Sequence, residues 1–374
     1  MVYFDNAATG GHKPKQVSEA VLDSIKRAAN PGRAAHKRAL KALQTVTETR
    51  ENLLMLLGGA ENDNVVFTKN CTEALNLALL GTIKEGGHVV SSVLEHNSVL
   101  RPLCELQKQG IISYTLVNPD SSGKIGANQV LAALQKDTYA VALTAASNVT
   151  GTGADLDEIG RLCLERGLLF IVDGAQFAGH GNISLSTQEI DLLCLPGHKG
   201  LLGPAGTGAL LFKQGVQVSP ILMGGTGTDS QNICQPDIYP EALESGTLNL
   251  CGIAGLNEGV KYLLKHRAVM ESKTRLLSAA LSEGFARLSK IKVHSKPNRC
   301  GIFSFLIDGQ NSTETADILS ARHEIAVRSG LHCAPLAHKW LQTQESGLVR
   351  VSVSAFNTLS EVSYLLSVLE EMCS

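Results

Sequence analysis

Hydrophobic positions along the chain fall into two textures. Between residues 64 and 212, short continuous apolar runs recur: NVVFT (64–68), GHVVSSV (87–93), YAVALTAA (139–146), LLFIVD (168–173), IDLLCLP (190–196) and GALLF (208–212). Runs of this length, rich in β-branched residues and bounded by turn formers, predict strands. They do not alternate apolar with polar, so the sheet they build is expected to be covered on both faces. Between them lie helical patterns, CTEALNLALLGTIKE and ADLDEIGRLCLERG, the second with an Asp-rich start and a stop at Gly167. Strand and helix in alternation predict βαβ units and a mostly parallel sheet.

After about residue 256 the texture changes. A long helical stretch, GIAGLNEGVKYLLKHRAVMESKTRLLSAALSEGFARL, leads into strand-like KIKVHS and GIFSFLID. Helix-like TETADILSAR, strand-like EIAVRS and LVRVSVS, and a final helix SEVSYLLSVLEEM follow. This order predicts a second, α+β unit, and 374 residues are enough for two cores.

Composition narrows the class. Hydrophobic residues make up 44% and charged residues 18%, a balance that excludes disordered and fibrous chains. A net charge of -2 argues against nucleic acid as the main partner. No apolar run is long enough for a membrane-spanning helix. MVYFDNAATG lacks a basic segment and carries Asp5 where a signal peptide would be apolar. Nine cysteines, an odd number without a C-x-x-C pair or zinc spacing, suit a reducing compartment. A cytosolic protein is expected.

The chemistry concentrates at predicted strand ends, where ligands of open α/β sheets bind. LLFIVDGAQ puts Asp173 at one such end with Gln176 just beyond, and IDLLCLPGHKG puts His198 and Lys199 at the next. An amine and a carboxylate so placed suit a Schiff-base lysine for pyridoxal phosphate, with the Asp opposite the protonated pyridine nitrogen. Ordinary surface turns are the alternative for either half. The cofactor's phosphate would need the N-terminus of a helix, and NVVFTKNCTEALN predicts one near Thr72. Thr72 as a simple helix cap is the competing assignment. SSVLEHNS places His96 at a further strand end, able to stack on a flat ring or merely to be solvated.

Ten segments, in order along the chain, resemble the class V aminotransferase family, in its cysteine desulfurase and selenocysteine lyase branch. They are YFDNAAT (3–9), NPGRAAH (30–36), FTKNCTEALN (67–76), EHNS (95–98), SNVTG (147–151), VDGAQFAGH (172–180), GHKGLLGPAGTGAL (197–210), LESGT (243–247), RSGLHCAP (328–335) and VRVSVSAFNT (349–358). The resemblance implies the type I fold of pyridoxal phosphate enzymes. A large domain over 12–255 would carry a seven-stranded-type sheet, with a smaller α+β domain from 1–11 and 256–374. It also implies roles. Lys199 would hold pyridoxal 5′-phosphate, Asp173 contact its ring nitrogen, His96 stack on the ring, and Gln176 and Asn148 lie near its phenolic oxygen. Thr72, the Cys71 amide and His198 would hold the phosphate. Thr247 would reach the cofactor of a partner protomer, implying a homodimer. Arg350 would clamp the substrate carboxylate, and Asn6, Ala7, His36 and Arg328 would line the substrate side. Two positions depart from the family pattern: Pro196 stands where a phosphate-binding hydroxyl is usual, and Ala145 where relatives often carry His.

RSGLHCAPLAH singles out Cys333 among the nine cysteines. A desulfurase needs a partly exposed thiolate on a loop that reaches the cofactor. Arg328 and His332 are expected to lower that thiol's pKa if their side chains turn toward it. The expected activity is conversion of L-cysteine to L-alanine with sulfur passed to Cys333 as a persulfide, then to an acceptor protein, with selenocysteine as a further substrate. The alternatives are transamination, β-elimination or racemisation of a small amino acid with Cys333 incidental, or a non-catalytic partner that holds the cofactor.

Overall fold

The computed structural model describes residues 1–27, 29–31, 36–228 and 231–373. Residues 32–35 of the NPGRAAH segment therefore lie outside the described residues. In chain order the elements begin with β1 (Val2–Tyr3), α1 (Lys15–Arg27), α2 (Lys37–Leu56), β2 (Asn64–Thr68), α3 (Cys71–Gly81), β3 (His88–Ser92), α4 (Asn97–Lys108) and β4 (Ser113–Val117). Next come α5 (Ala127–Ala133), β5 (Thr138–Thr144), α6 (Leu156–Arg166), β6 (Leu169–Asp173), β7 (Leu192–Pro196), β8 (Gly208–Phe212) and α7 (Leu250–Phe285). The chain closes with β9 (Ile291–Val293), β10 (Ile302–Ile307), α8 (Ser312–His323), β11 (Ile325–Ala326), α9 (Pro335–Leu341), β12 (Val349–Ser352) and α10 (Leu359–Cys373).

Seven strands form one sheet in the order β2-β8-β7-β6-β5-β3-β4. Neighbours from β7 through β6, β5 and β3 to β4 run parallel. Only β8 runs against its neighbours β7 and β2, so β2 points the same way as the parallel strands. The carboxyl ends of β2, β3, β5, β6 and β7 consequently meet along one edge. All five residues of β3, β7 and β8 are buried, as strands covered on both faces must be. The six expected strands are present. The seventh, β4, is an edge strand whose residues are only half-buried except Val117, so its sequence lacks the apolar run that marks the others.

Local chemistry sets the helix ends. Asp155 caps α6 by accepting from the Glu158 amide at 3.1 Å, and Gly167 ends it in the left-handed region at φ 64°. A separate three-stranded sheet, β12-β10-β9, packs its core with Leu277, Leu281 and Phe285 of α7 and Leu365 and Leu369 of α10. The amino-terminal β1 pairs with β11, and Phe4 joins that second core. Helix α7 runs unbroken for 36 residues, so the expected boundary after residue 255 falls inside it. Among the described residues, no helix is long and apolar enough to cross a membrane.

Candidate active site

Lys199 follows β7 in a turn that the amino-terminal segment holds from outside. The His198 carbonyl accepts from Lys13 Nζ at 2.7 Å and from the Gly10 amide at 3.0 Å, and His198 Nδ1 lies 3.0 Å from Thr9 Oγ1. On its other side the turn interlocks with the one after β6. A Cβ at Gly200 would run into the Ala178 carbonyl, and one at Gly179 (φ 84°) into the Gly200 carbonyl. The two strand ends can approach this closely only because both positions are glycine.

A cleft opens at the strand ends, the place where ligands of open α/β sheets bind. Cys71, Thr72, His96, Asn148, Asp173, Gln176, His198 and Lys199 all line it. The structure thus brings together eight of the residues singled out in the sequence. Lys199 makes no ion pair among the described residues. Desolvation pulls its pKa below the usual lysine value, opposed by Cys71 and Asp173 and assisted by Arg350 and Arg328. Asp173 is buried; its Oδ1 accepts from the Ala175 amide at 2.9 Å and lies 3.5 Å from Cys71 Sγ. Burial lowers the His96 pKa and brings that of His198 to about 4, so both rings are neutral near pH 7. Burial also holds the Cys71 and Cys194 thiols protonated, well above the usual range.

Thr72 is not the cap of its helix. Asn70 is, accepting from the Glu73 amide at 2.9 Å. The Thr72 hydroxyl instead lies 2.8 Å from Ser98 Oγ, which is 2.8 Å from His96 Nδ1. The Glu73 and Ala74 amides are taken by Asn70, leaving those of Cys71 and Thr72 without an intramolecular partner among the described residues. Two free amides, two hydroxyls and a helix N-terminus make a set that an anionic group fits. Ser98 was the member hardest to see in the sequence, because nothing in EHNS signals that its hydroxyl turns back to Thr72. It stands on the wall of the same cleft as Pro196, whose side chain offers no hydroxyl.

The remaining residues surround the cleft or lie away from it. Gln176 Nε2 donates to the Ala7 carbonyl at 3.1 Å, and Asn6 is buried against Ser352 and Asn357. Asn148 Nδ2 donates to the His332 carbonyl at 2.6 Å, while its Oδ1 is buried without a partner. Arg350 is buried; its Nη1 donates to the Asn148 carbonyl and its Nη2 pairs with Asp5, each at 3.0 Å, leaving Nε unpartnered. Arg328 is exposed and pairs with Arg350 only through the backbone. Two residues are not brought to the cleft within this chain. His36 is exposed and caps α2, and Thr247 lies exposed on the rim of a separate cavity with Lys69 and Asn249.

Cys333 is exposed and lines an adjoining opening whose walls include Thr72, His96 and Ser98, the same residues that wall the Lys199 cleft. One expectation about it is corrected. His332 is buried, and burial, followed by the Arg350 charge, pushes its pKa down to about 2. A neutral imidazole turned inward supplies no positive charge to stabilise a thiolate next door.

One acid escaped the sequence reading altogether. Glu95 is fully buried behind His96; Oε1 accepts from Ser92 Oγ at 2.5 Å and the Thr144 amide at 3.1 Å, while Oε2 has no partner. Burial raises its pKa to about 8, aided by the Asp173 charge. A folded-state pKa above the unfolded value means a contribution fully present below about 4.5 and lost as pH rises through about 8. Glu95→Gln imitates the neutral acid. Its melting temperature relative to the parent is therefore expected to improve between pH 5 and pH 8.5, by an amount equivalent to a few kcal/mol at most. A constant difference across that range would mean that Glu95 is ionised in the folded protein.

Residues 2–365 match the family model described as aminotransferase class V. A probable cysteine desulfurase of Methanothermobacter thermautotrophicus is 34% identical over 99% of this chain and 94% of its own. The apo structure of cysteine desulfurase from Thermococcus onnurineus superposes with a TM-score of 0.91 at 32% identity, covering 99% of this chain and 94% of that one. The S-sulfonic acid form of the cysteine desulfurase CsdA from Escherichia coli gives 0.88 at 25% identity, with the same shares covered. A match over nearly the whole length, on a fold with the lysine, aspartate and helix N-terminus at one sheet edge, places this chain in the class V aminotransferase family.

Proposed function

We propose that the chain is a pyridoxal 5′-phosphate-dependent cysteine desulfurase, converting L-cysteine to L-alanine and taking the sulfur onto Cys333. The observation that carries this reading is the shared wall. An exposed thiol opens onto the Thr72, Ser98 and His96 surface of the cleft that holds the Lys199 amine.

Pyridoxal 5′-phosphate is the cofactor of the family, and when bound it supplies an electron-withdrawing ring that stabilises negative charge on the substrate carbon. Lys199 would hold it, and the desolvated amine suits proton transfer at the substrate's α carbon. Asp173 would face the ring nitrogen, His96 the ring, and Gln176 and Asn148 the phenolic oxygen. Thr72, Ser98, His198 and the Cys71 amide would hold the phosphate. Arg350 and Arg328 provide the positive charge for the substrate carboxylate, with Asn6 and Ala7 beside it. Thr247 and His36, which do not line the cleft, would act from a second copy in a homodimer. Nine free cysteines fit a reducing cytoplasm, and a protein acceptor would draw the sulfur from Cys333.

The reaction balances without an external oxidant. The thiolate of Cys333 attacks the substrate sulfur, an S–S bond forms, and the Cβ–S bond breaks. Its electron pair stays on carbon, which takes up a proton to give alanine, while Cys333 becomes the persulfide. The test is incubation of the holoenzyme with L-cysteine. Alanine and sulfide should appear in equal amounts with a reductant present, and Cys333 should be one sulfur heavier by mass spectrometry without it. Pyruvate and ammonia in place of alanine would identify a β-elimination instead.

A further inference from the structure

Two consecutive non-glycine residues, His332 and Cys333, sit in the left-handed region at φ 51° and 57°. Such backbone is sterically disfavoured for both side chains and persists only where the surroundings over-determine it. Here they do. The His332 carbonyl is held by Asn148 Nδ2 at 2.6 Å and the Cys333 carbonyl by the Asn97 amide at 2.8 Å. One tie runs to a wall of the cleft and the other to the residue after His96. A third anchor is the His332 ring itself, 6% exposed and stacked on His338 of α9 with centroids 5.7 Å apart and planes 12° apart. His338 is fully buried and fixed through Nδ1, 2.8 Å from Thr343 Oγ1.

We propose that His332 is a positioning residue for sulfur transfer: its buried, stacked ring wedges the turn into the left-handed conformation that sets Cys333 in the opening beside the cleft. This rests on the desulfurase reading and adds to it a residue that touches neither substrate nor cofactor. Burial, followed by the Arg350 charge, disfavours protonation of the ring, which suits a packing wedge rather than an acid or base.

His332→Gly tests it, because glycine accepts the backbone angle without strain while removing the ring. The expected result is a split. Persulfide formed on Cys333 in the first turnover should slow by about tenfold or more, as for a reacting group misplaced by an ångström. The apparent affinity for L-cysteine, read from the cofactor's absorbance change, should stay within about twofold, and alkylation of Cys333 by iodoacetamide within about threefold. His332→Phe, which keeps a stacked ring without the nitrogens, should recover most of the transfer rate. Should the glycine variant fail to fold, His332→Asn, which tolerates the left-handed angle, is expected to show the same split. Transfer at the parent rate in the ringless variant, loss in step with alkylation, or a phenylalanine variant as slow as the glycine one would each overturn the wedge. If the parent itself forms no Cys333 persulfide, the desulfurase reading fails and the wedge falls with it.

Discussion

Replacing Lys199 with alanine is expected to abolish turnover of L-cysteine, by about a thousandfold or more, and to remove the visible absorbance of lysine-bound cofactor from the purified protein. The size of the effect follows from what else the cleft contains. His96 and His198 are buried neutral rings, and the Cys71 thiol is held protonated, so none replaces a primary amine. Lys13 is the nearest candidate, with a pKa drawn down to about 8, yet its Nζ is committed to the His198 carbonyl at 2.7 Å on the far side of the turn. The variant should still fold, because the turn is held by glycine contacts and backbone bonds rather than by the Lys199 side chain. Absorbance spectra and an alanine assay on the same preparation check both halves. Undiminished sulfide production would remove Lys199, and with it the cofactor assignment, from the reaction.

The lysine and its surroundings were legible in the sequence for a definite physical reason. Strands buried on both faces have continuous apolar sequences, so NVVFT and GALLF map residue for residue onto β2 and β8. Once the strands are placed, their carboxyl ends locate Asp173, Lys199 and the start of α3. What stayed hidden depends on side-chain direction or on partial exposure. Strand β4 lies at the sheet edge with half-buried residues and reads as loop. Asn70 rather than Thr72 caps α3, a choice between two good caps two residues apart that only the backbone at Asn70 decides. His332 next to Cys333 reads as a charged neighbour, but the turn sends its ring inward, against His338. Arg350 reads as a free clamp, whereas its fork is already shared between Asp5 and the Asn148 carbonyl. The Arg350 contacts join residues far apart in the chain, and the others turn on side-chain direction or exposure, which local pattern does not encode.

Cys333→Ala is expected to separate cofactor chemistry from sulfur transfer. Alanine has the same difficulty as cysteine at φ 57°, so the turn gains no new freedom, and the side chain it loses is exposed and fills no core. Stability should therefore change by no more than about 0.5 kcal/mol. The absorbance response to L-cysteine should persist, because Lys199 and its neighbours are untouched. Sulfide and alanine production should nevertheless fall by about a thousandfold, the scale for removing a nucleophile. Among the described residues, Cys71 is the one other thiol that lines the cleft or its adjoining opening. Cys71 and Cys194 are buried and held protonated, and Cys163 and Cys300 are pushed up to about 12. Cys104 is exposed on α4 but does not line the opening that Cys333 shares with His96. The measurement is sulfide and alanine released with a reductant present, since a reductant cleaves the persulfide of the parent to sulfide and the free Cys333 thiol but cannot supply the thiol that the variant lacks. Sulfide release at the parent rate would show that the cleft eliminates sulfur without help from the RSGLHCAP turn. The chain would then be a class V enzyme of another kind, and the exposed thiol on its wall would be incidental.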